Sequence, residues 1–135
     1  MAQLGGDLGL NPDDILKLEP EITYITSNTN IEAIALVTDT GFQIAYAALP
    51  TYTVDSDALS GIASAVTMTG KMTMLTVFGE ELSETIIRAT NGYLVISNAG
   101  RFVIVGAGRD IKNMMNTIKV FRTSAQRIEE NFPAV

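Results

Sequence analysis

Residues 57–78, DALSGIASAVTMTGKMTMLTVF, form the longest helical pattern in the chain. A helix of this length indicates a fold with both helices and strands, not an all-β fold. On a wheel of 3.6 residues per turn, one apolar face is suited to cover a sheet and comprises Leu59, Ile62, Ala63, Val66, Gly70, Met74 and Val77. The opposite face is also apolar and comprises Gly61, Ala65, Met68, Met72 and Leu75. A polar flank between them comprises Ser60, Ser64, Thr67 and Lys71. The stretch therefore predicts a helix of about six turns that is apolar on two sides.

Two strands and a shorter helix are predicted before this long helix. Residues 31–38, IEAIALVT, are apolar on both faces, which is typical of a central strand covered on two sides. Residues 41–49, GFQIAYAAL, form the second strand, and Asp39-Thr40-Gly41 has the composition of a hairpin turn with a left-handed glycine. Upstream, Pro12-Asp13-Asp14 is a helix-start signal. Apolar helical spacing continues through Pro20, so we expect a kinked or broken helix over residues 12–27.

Three strands and a terminal helix are predicted after the long helix. The periodicity falls to two in ETIIRAT (84–90), YLVISN (93–98) and RFVIVGAG (101–108), with turns at Asn91-Gly92 and Ala99-Gly100. Asp110 is expected to cap a helix whose apolar stripe comprises Ile111, Met114, Met115, Ile118, Phe121, Ala125 and Ile128. The predicted fold is an α+β sandwich in the order α-β-β-α-β-β-β-α, a five-stranded antiparallel sheet with helices on both faces. We expect a flexible leader over residues 1–11 and a single domain over residues 12–135.

The composition excludes several classes of chemistry. The 135 residues include neither cysteine nor histidine, so disulfides, thiolate nucleophiles and the usual triads are excluded, and we expect no metal site and no cofactor. The net charge is −6, with nine acids and one lysine in residues 1–60, which argues against nucleic acid as a partner. No apolar run reaches the roughly 18–20 residues of a membrane span, so we expect no direct membrane insertion and a cytoplasmic location.

Two short motifs suit a homodimeric aspartic protease. Asp39-Thr40-Gly41 follows an apolar strand, and Gly108-Arg109-Asp110 opens a helix near the C-terminus, as in half-size enzymes of that class. Those enzymes are almost wholly β, whereas the interval here contains the long helix, and Phe42 stands where a small residue is expected. A hairpin turn and a helix cap explain the two motifs without catalysis. The protease is therefore the last of the alternatives, and no residue is assigned a catalytic role.

The second apolar face of the long helix predicts an assembly. Left in water, it would be a patch of a few hundred Å², more than monomers usually expose. Either a second copy of the chain covers it, or the first or last helix of the same chain does. The strand of residues 84–90 lies at one end of the meander, where its unpaired backbone groups favour pairing with its own copy. The predicted homodimer interface comprises Gly61, Ala65, Met68, Met72, Leu75, Ile86 and Arg88.

The order and spacing of these elements resemble the Roadblock family, the dynein light-chain type. The likeness lies in IEAIALVTDTGFQIAYA (31–47), in the helix of residues 57–78 and in TIIRATNGYLVISNAGRFVIVGAG (85–108). The resemblance implies a homodimer formed through the second helix and the third strand, with no catalytic residues of its own. It also implies a platform for Ras-like small GTPases, for which we expect a partner surface at Ser60, Ser64 and Lys71.

Two other functions stay open at this stage. One is a structural adaptor in a larger complex that does not respond to nucleotide state. The other is a sensor module with a ligand pocket beneath the sheet, for which the sequence shows no convergent polar cluster.

Overall fold

The computed structural model describes residues 3–4 and 10–134 and contains one antiparallel sheet with helices on both faces. The elements in chain order are β1 (Gln3–Leu4), α1 (Pro12–Asn28), β2 (Ala33–Thr38), β3 (Gln43–Ala48), α2 (Ser56–Phe78), β4 (Glu84–Ala89), β5 (Gly92–Ala99), β6 (Phe102–Gly108), a 3-10 turn (Ile111–Asn113) and α3 (Met114–Asn131). The strand order is β1-β3-β2-β6-β5-β4. The five predicted strands and their order with the three helices are confirmed.

A sixth, two-residue strand extends the sheet beyond β3. Gln3 pairs with Tyr46, and Leu4 pairs with Ala45. The leader expected over residues 1–11 otherwise falls mainly outside the described residues, apart from Leu10 and Asn11. Asn11 is the N-cap of α1: its side chain accepts a hydrogen bond from the Asp14 N–H at 2.9 Å, and Asp14 accepts one from the Asn11 N–H at 3.0 Å.

Alternation along the strands separates two cores, one on each face of the sheet. In β2, Ile34 and Leu36 belong to the core beneath α1 and α3, whereas Ala35 and Val37 belong to the core beneath α2. The sheet is therefore covered on both faces, which is why β2 is apolar at every position from Ala33 to Val37. Helices α1 and α3 lie side by side on one face, and α2 lies alone on the other.

Of the kink or break predicted for the first helix, the break is wrong, because α1 runs without interruption from Pro12 to Asn28. Pro20 removes the hydrogen bond that its N–H would make to the Leu16 carbonyl. Both Leu16 and Pro20 are exposed, so water can hydrate that carbonyl. The buried face of the same helix, formed by Leu18, Ile22 and Ile25, continues across the proline without a gap.

The two turns that contain the Asp-Thr-Gly and Asn-Gly sequences differ in geometry. Gly41 closes the β2–β3 hairpin with a φ of 95°, as predicted for a left-handed turn glycine. In the β4–β5 hairpin, Ala89 pairs directly with Gly92, so Thr90 and Asn91 form the turn and Gly92 already belongs to the strand. The predicted hairpin is present, but its turn lies one residue earlier than the Asn-Gly pair.

The terminal helix begins later than expected because Asp110 caps a 3-10 turn. The Asp110 carboxylate accepts a hydrogen bond from the Lys112 N–H at 3.1 Å, and the α-helix starts at Met114. Met115 is exposed, so its place in the buried stripe is wrong. It lies about 120° around the helix from Phe121, which is at the centre of the buried face.

Candidate interaction surface

The outer ridge of α2, formed by Gly61, Ala65, Met68, Met72 and Leu75, is exposed along its whole length. Met68, Met72 and Leu75 have 61%, 69% and 59% of their surface accessible. The prediction that α2 is apolar on its outer side is therefore confirmed. The alternative that the first or last helix covers this ridge is wrong, because α1 and α3 lie on the opposite face of the sheet.

The inner face of α2 is rotated relative to the predicted wheel. Its buried residues are Leu59, Ser60, Ala63 and Thr67. Two residues expected to face the sheet, Ile62 and Val77, are exposed instead. Polar contacts to the β2–β3 hairpin draw the serine flank inward: the Ser60 hydroxyl donates to Gln43 Oε1 at 3.3 Å, and the Ser64 hydroxyl donates to the Asp39 carbonyl at 3.1 Å.

This rotation changes the expected partner surface. Ser60 is only 1% exposed, and Ser64 is half-buried against the turn at Asp39, so neither projects from the helix. Lys71 is exposed. The three residues therefore do not form one continuous exposed surface in the single chain.

The C-terminal end of α2 adds apolar surface that the sequence analysis did not assign. Val77 and Phe78 in the last turn are both exposed, and Gly79 ends the helix with a φ of 65°. The signal was present in the sequence, because the helix is almost uniformly apolar or small from Met72 onward and no polar face identifies a solvent side.

Strand β4 forms the edge of the sheet next to the second half of α2. A Cβ atom on Gly70 would lie 2.8 Å from the Leu82 side chain and 3.3 Å from Thr85 Oγ1, so the helix crosses close to the start of β4. Within the described sheet, β4 pairs only with β5. The outer ridge and an edge of unpaired backbone groups thus lie at the same border of the molecule.

The register of β4 assigns its side chains to the two faces. Ile87 lies opposite Leu94, which packs in the core beneath α2, whereas Ile86 lies opposite Val95, in the core beneath α3. Residues directly opposite one another in an antiparallel pair point to the same face. Ile87, which the sequence analysis omitted, therefore shares a face with the outer ridge, and Ile86 and Arg88 lie on the other face.

The face of β4 that carries Ile86 is tied to α3 by an ion pair. Arg122 donates two hydrogen bonds to the Glu84 carboxylate, from Nε at 2.7 Å and from Nη2 at 2.8 Å. The hydrogen bonds and negative charge of Glu84 raise the pKa of Arg122 above its usual value. The bidentate geometry fixes the start of β4 against α3.

Comparisons with known proteins agree with this arrangement. The sequence profile of the Roadblock/LC7 domain matches residues 22–107, which is more than half of the chain. The chain belongs to the Roadblock/LC7 domain family. No curated protein matches it.

Solved structures share the Roadblock/LC7 fold at low sequence identity. The gliding protein MglB of Thermus thermophilus is 13% identical, with a TM-score of 0.77 over 94% of this chain and 96% of that one. MglB of Myxococcus xanthus is 16% identical, with a TM-score of 0.77 over 92% and 93%. A Roadblock/LC7 domain from Streptomyces avermitilis is 13% identical, with a TM-score of 0.66 over 82% and 92%. At these identities the likeness establishes the fold.

The two protease-like motifs lie at opposite ends of the Roadblock/LC7 sheet. Asp39 follows Thr38, which pairs with Phe102 at one end of β6, and Asp110 follows the other end of that strand, where Ala107 pairs with Ala33. Five residues of extended strand separate these ends by about 17 Å, so the two motifs of one chain do not lie together. The motifs act as a hairpin turn and a cap.

Two further features of the molecule bear on the binding expectations. In residues 3–4 and 10–134, no three acidic side chains come together in a group that could hold a metal ion. None of the helices in the described part of the chain combines the length and apolar character needed to cross a membrane.

Proposed function

We propose that this Roadblock/LC7 chain is a non-enzymatic homodimeric scaffold in the cytoplasm and that it binds a Ras-like small GTPase. The observation that carries the proposal is the exposed outer ridge of α2 beside the unpaired edge of β4. The alternative function is a structural adaptor without nucleotide dependence, and it uses the same dimer.

Gly61 supports close contact between two copies of α2. A glycine inside a helix destabilises it by about 1 kcal/mol relative to alanine. A Cβ atom added at Gly61 would meet nothing within 4 Å, so packing inside the chain gives no reason for glycine there. A second helix that crosses at Gly61 and Ala65 would explain the glycine, because small residues allow two backbones to approach closely.

The remaining ridge residues supply the driving force. Burying a Met or Leu side chain contributes about 1.5–3 kcal/mol relative to leaving it exposed. Met68, Met72 and Leu75 are all more than half exposed in the single chain, and a two-fold interface would bury each of them twice. Methionine is also an adaptable packing residue, which suits a helix that meets its own copy.

The charges of β4 favour one register for pairing with its own copy. A two-fold axis perpendicular to the sheet keeps both copies of α2 on one face, so only residues that share a face can lie opposite each other. Centring the pair on Ile86 places Glu84 opposite Arg88 of the partner subunit, twice. Centring it on Ile87 places Ile86 opposite Arg88 of the partner subunit, and centring it on Arg88 opposes two positive charges. Opposite charges across a strand pair contribute about 0.2–1 kcal/mol, which favours the Ile86 register.

The GTPase assignment rests on family membership and on the exposed surface beside the ridge. The Roadblock resemblance implies a platform for Ras-like GTPases, and α2 is the helix that such a platform would present. Of the expected partner residues we keep Lys71 as a direct contact. Ser60 and Ser64 instead hold the helix to the β2–β3 hairpin.

Titration of the purified chain with small GTPases from the same genome tests the function. Each GTPase is loaded with GDP or with a non-hydrolysable GTP analogue, and the affinity is measured by calorimetry. We expect one GTPase to bind with a preference for one nucleotide state. Equal affinity for both states would favour the adaptor, and no binding by any GTPase would remove the GTPase part of the proposal.

A matched pair of variants locates the contact. Lys71→Glu is expected to weaken GTPase binding about threefold to tenfold, through loss of charge complementarity. Lys17 is also an exposed lysine but lies on α1, at the opposite face of the sheet, and Lys17→Glu is expected to leave the affinity unchanged. Equal effects of the two variants would remove Lys71 from the contact.

A further inference from the structure

A polar cleft lies on the α3 face of the sheet, away from the outer ridge. It is about 280 Å³ in volume and lies between the α2–β4 loop, the end of β5 and the C-terminal half of α3. Its polar lining comprises Glu81, Ser83, Glu84, Ser97, Asn98, Arg122, Gln126 and Glu129. The sequence did not indicate this cluster, because its members come from three segments that only the fold brings together.

The cleft carries excess negative charge. Of its three carboxylates, only Glu84 has a cationic partner, Arg122, which donates to it from Nε and Nη2. In the described part of the chain, Glu81 and Glu129 form no ion pair. The cleft lining therefore contains one arginine and three glutamates, and the arginine is paired with Glu84.

Helix ends add to this negative potential. Glu129 lies in the last turn of α3, and Glu80 and Glu81 follow directly after the end of α2. Neither helix has a basic residue in its last turn. Acidic side chains are unfavourable beside the negative end of a helix dipole, where lysine or arginine is preferred. A bound cation would relieve this unfavourable interaction.

One buried polar atom in the cleft has no hydrogen-bond partner in the protein. Ser97 is only 2% exposed and its hydroxyl is unpaired. Ser97 pairs with Ile104, which belongs to the core beneath α1 and α3, so its side chain lies on the same face of the sheet as the cleft. Buried polar groups are nearly always paired, so this hydroxyl indicates a missing partner.

We propose that this cleft binds an organic cation that carries several N–H donors, either a guanidinium or an ammonium group. Such a group satisfies the charge of Glu81 and Glu129 and donates to the carboxylates and to the Ser97 oxygen. An anion would face the two unpaired carboxylates, and a neutral ligand would leave their charge uncompensated. The cation is either a free polyamine or the arginine or lysine side chain of a partner protein.

The cleft meets the proposed dimer interface only at Glu84, which the Ile86 register also places opposite Arg88 of the partner subunit. Ser97 and Glu129 belong to neither the outer ridge nor β4. Variants at these two residues therefore test the cleft without changing the dimer interface or the GTPase surface.

Titration of isotope-labelled protein, followed by NMR amide shifts, tests the proposal. The probes are spermidine, N-acetyl-L-argininamide and the neutral control N-acetyl-L-glutaminamide. We expect saturable shifts at residues 81–84, 97–98 and 122–129 with the two cations and none with the neutral amide. Tighter binding of spermidine would identify a free polyamine as the source, and tighter binding of the arginine derivative would identify a side chain. Absence of saturable shifts with both cations, or equal shifts with the neutral amide, would overturn the proposal.

Two neighbouring glutamates give a matched comparison. Glu129→Gln is expected to weaken cation binding about fivefold to tenfold, because it removes one of the two unpaired carboxylates. Ser97→Ala tests the buried hydroxyl and is expected to weaken binding by about twofold to fivefold. Glu130→Gln, in the same helical turn but outside the cleft lining, is expected to leave the affinity unchanged. Equal losses in Glu129→Gln and Glu130→Gln would show only non-specific attraction and would overturn the proposed site.

Discussion

The hydroxyl of Tyr93 in β5 lies 2.9 Å from Thr117 Oγ1 in α3, inside the core between the sheet and that helix. Thr117 also donates its own hydroxyl hydrogen to the Asn113 carbonyl at 3.1 Å. Because each hydroxyl has one hydrogen, Tyr93 must be the donor and Thr117 the acceptor in the bond between them. The hydrogen bond therefore runs from Tyr93 to Thr117, so the two residues have different roles in it.

Removing either member is expected to destabilise the fold by a different amount. Tyr93→Phe leaves Thr117 bonded to Asn113 and is expected to cost about 0.5–1.5 kcal/mol. Thr117→Val leaves the buried Tyr93 O–H without an acceptor and is expected to cost about 1–3 kcal/mol. The free energy of unfolding from chemical denaturation measures both changes.

A threonine on the exposed side of α3 provides the control. Thr123 makes the same intrahelical bond, to the Lys119 carbonyl at 3.2 Å, but faces solvent. Thr123→Val is expected to change the free energy of unfolding by less than about 0.5 kcal/mol. A larger loss from Tyr93→Phe than from Thr117→Val would mean that the assigned direction is incorrect.

The outer ridge predicts the oligomeric state. Light scattering during gel filtration at micromolar concentration is expected to give twice the chain mass of 14.5 kDa. Met68→Glu/Met72→Glu is expected to give monomers or aggregates, because burying unpaired carboxylates costs several kcal/mol. A monomeric wild-type chain would contradict the dimer.

Two apolar residues on the other face of the sheet make a matched control. Leu16 on α1 and Met115 on α3 are as exposed as the ridge methionines but lie beneath neither α2 nor β4. Leu16→Glu/Met115→Glu is therefore expected to remain a dimer. Loss of the dimer in this variant as well would indicate a general loss of the fold or a different interface.

Much of this fold is predictable because each element has a distinct local pattern. The β2–β3 hairpin, the β4–β6 meander and the outer face of α2 follow from periodicity and from turn residues such as Gly41. The continuous α1 was not predictable in the same way. Whether Pro20 breaks a helix depends on which side of the helix faces water, and only the tertiary structure decides that.

The errors at the candidate surface have a common physical origin. A helix that is apolar on two sides does not specify its own rotation, so tertiary contacts from Ser60 to Gln43 and from Ser64 to Asp39 decide which flank is buried. The faces of β4 likewise depend on its register with β5, and this register turns Ile87 rather than Ile86 toward the side of α2. The cation cleft was beyond sequence analysis because Ser97 and Glu129 approach only in the folded chain.

Substitutions at Gly61 are expected to change the stability of the subunit and the affinity of the dimer in different ways. Gly61→Ala is expected to stabilise the helix by about 1 kcal/mol, because alanine has the higher helix propensity and the position is open within the chain. Gly61→Leu is expected to keep the subunit folded, as judged by circular dichroism, and to weaken dimerisation at least about tenfold by overpacking a close helix crossing. Dilution monitored by sedimentation velocity measures the dimer affinity. A Gly61→Leu dimer as tight as the wild type would place the helix crossing elsewhere.

Single cysteines test the register of β4 directly, since the chain contains no cysteine of its own. If the two strands centre on Ile86, Ile86→Cys places two Cα atoms about 4.5–5.5 Å apart, within reach of a disulfide. In the same register, two cysteines at position 88 are four residues apart along the strand, about 13 Å, and cannot be bridged. Mild oxidation followed by non-reducing electrophoresis is therefore expected to give a covalent dimer for Ile86→Cys and none for Arg88→Cys. Efficient cross-linking of Ile87→Cys in place of Ile86→Cys would place the two-fold axis one residue further along β4. Glu84 would then not lie opposite Arg88 of the partner subunit. That result would refute the charge-based register but would still support a dimer paired through β4.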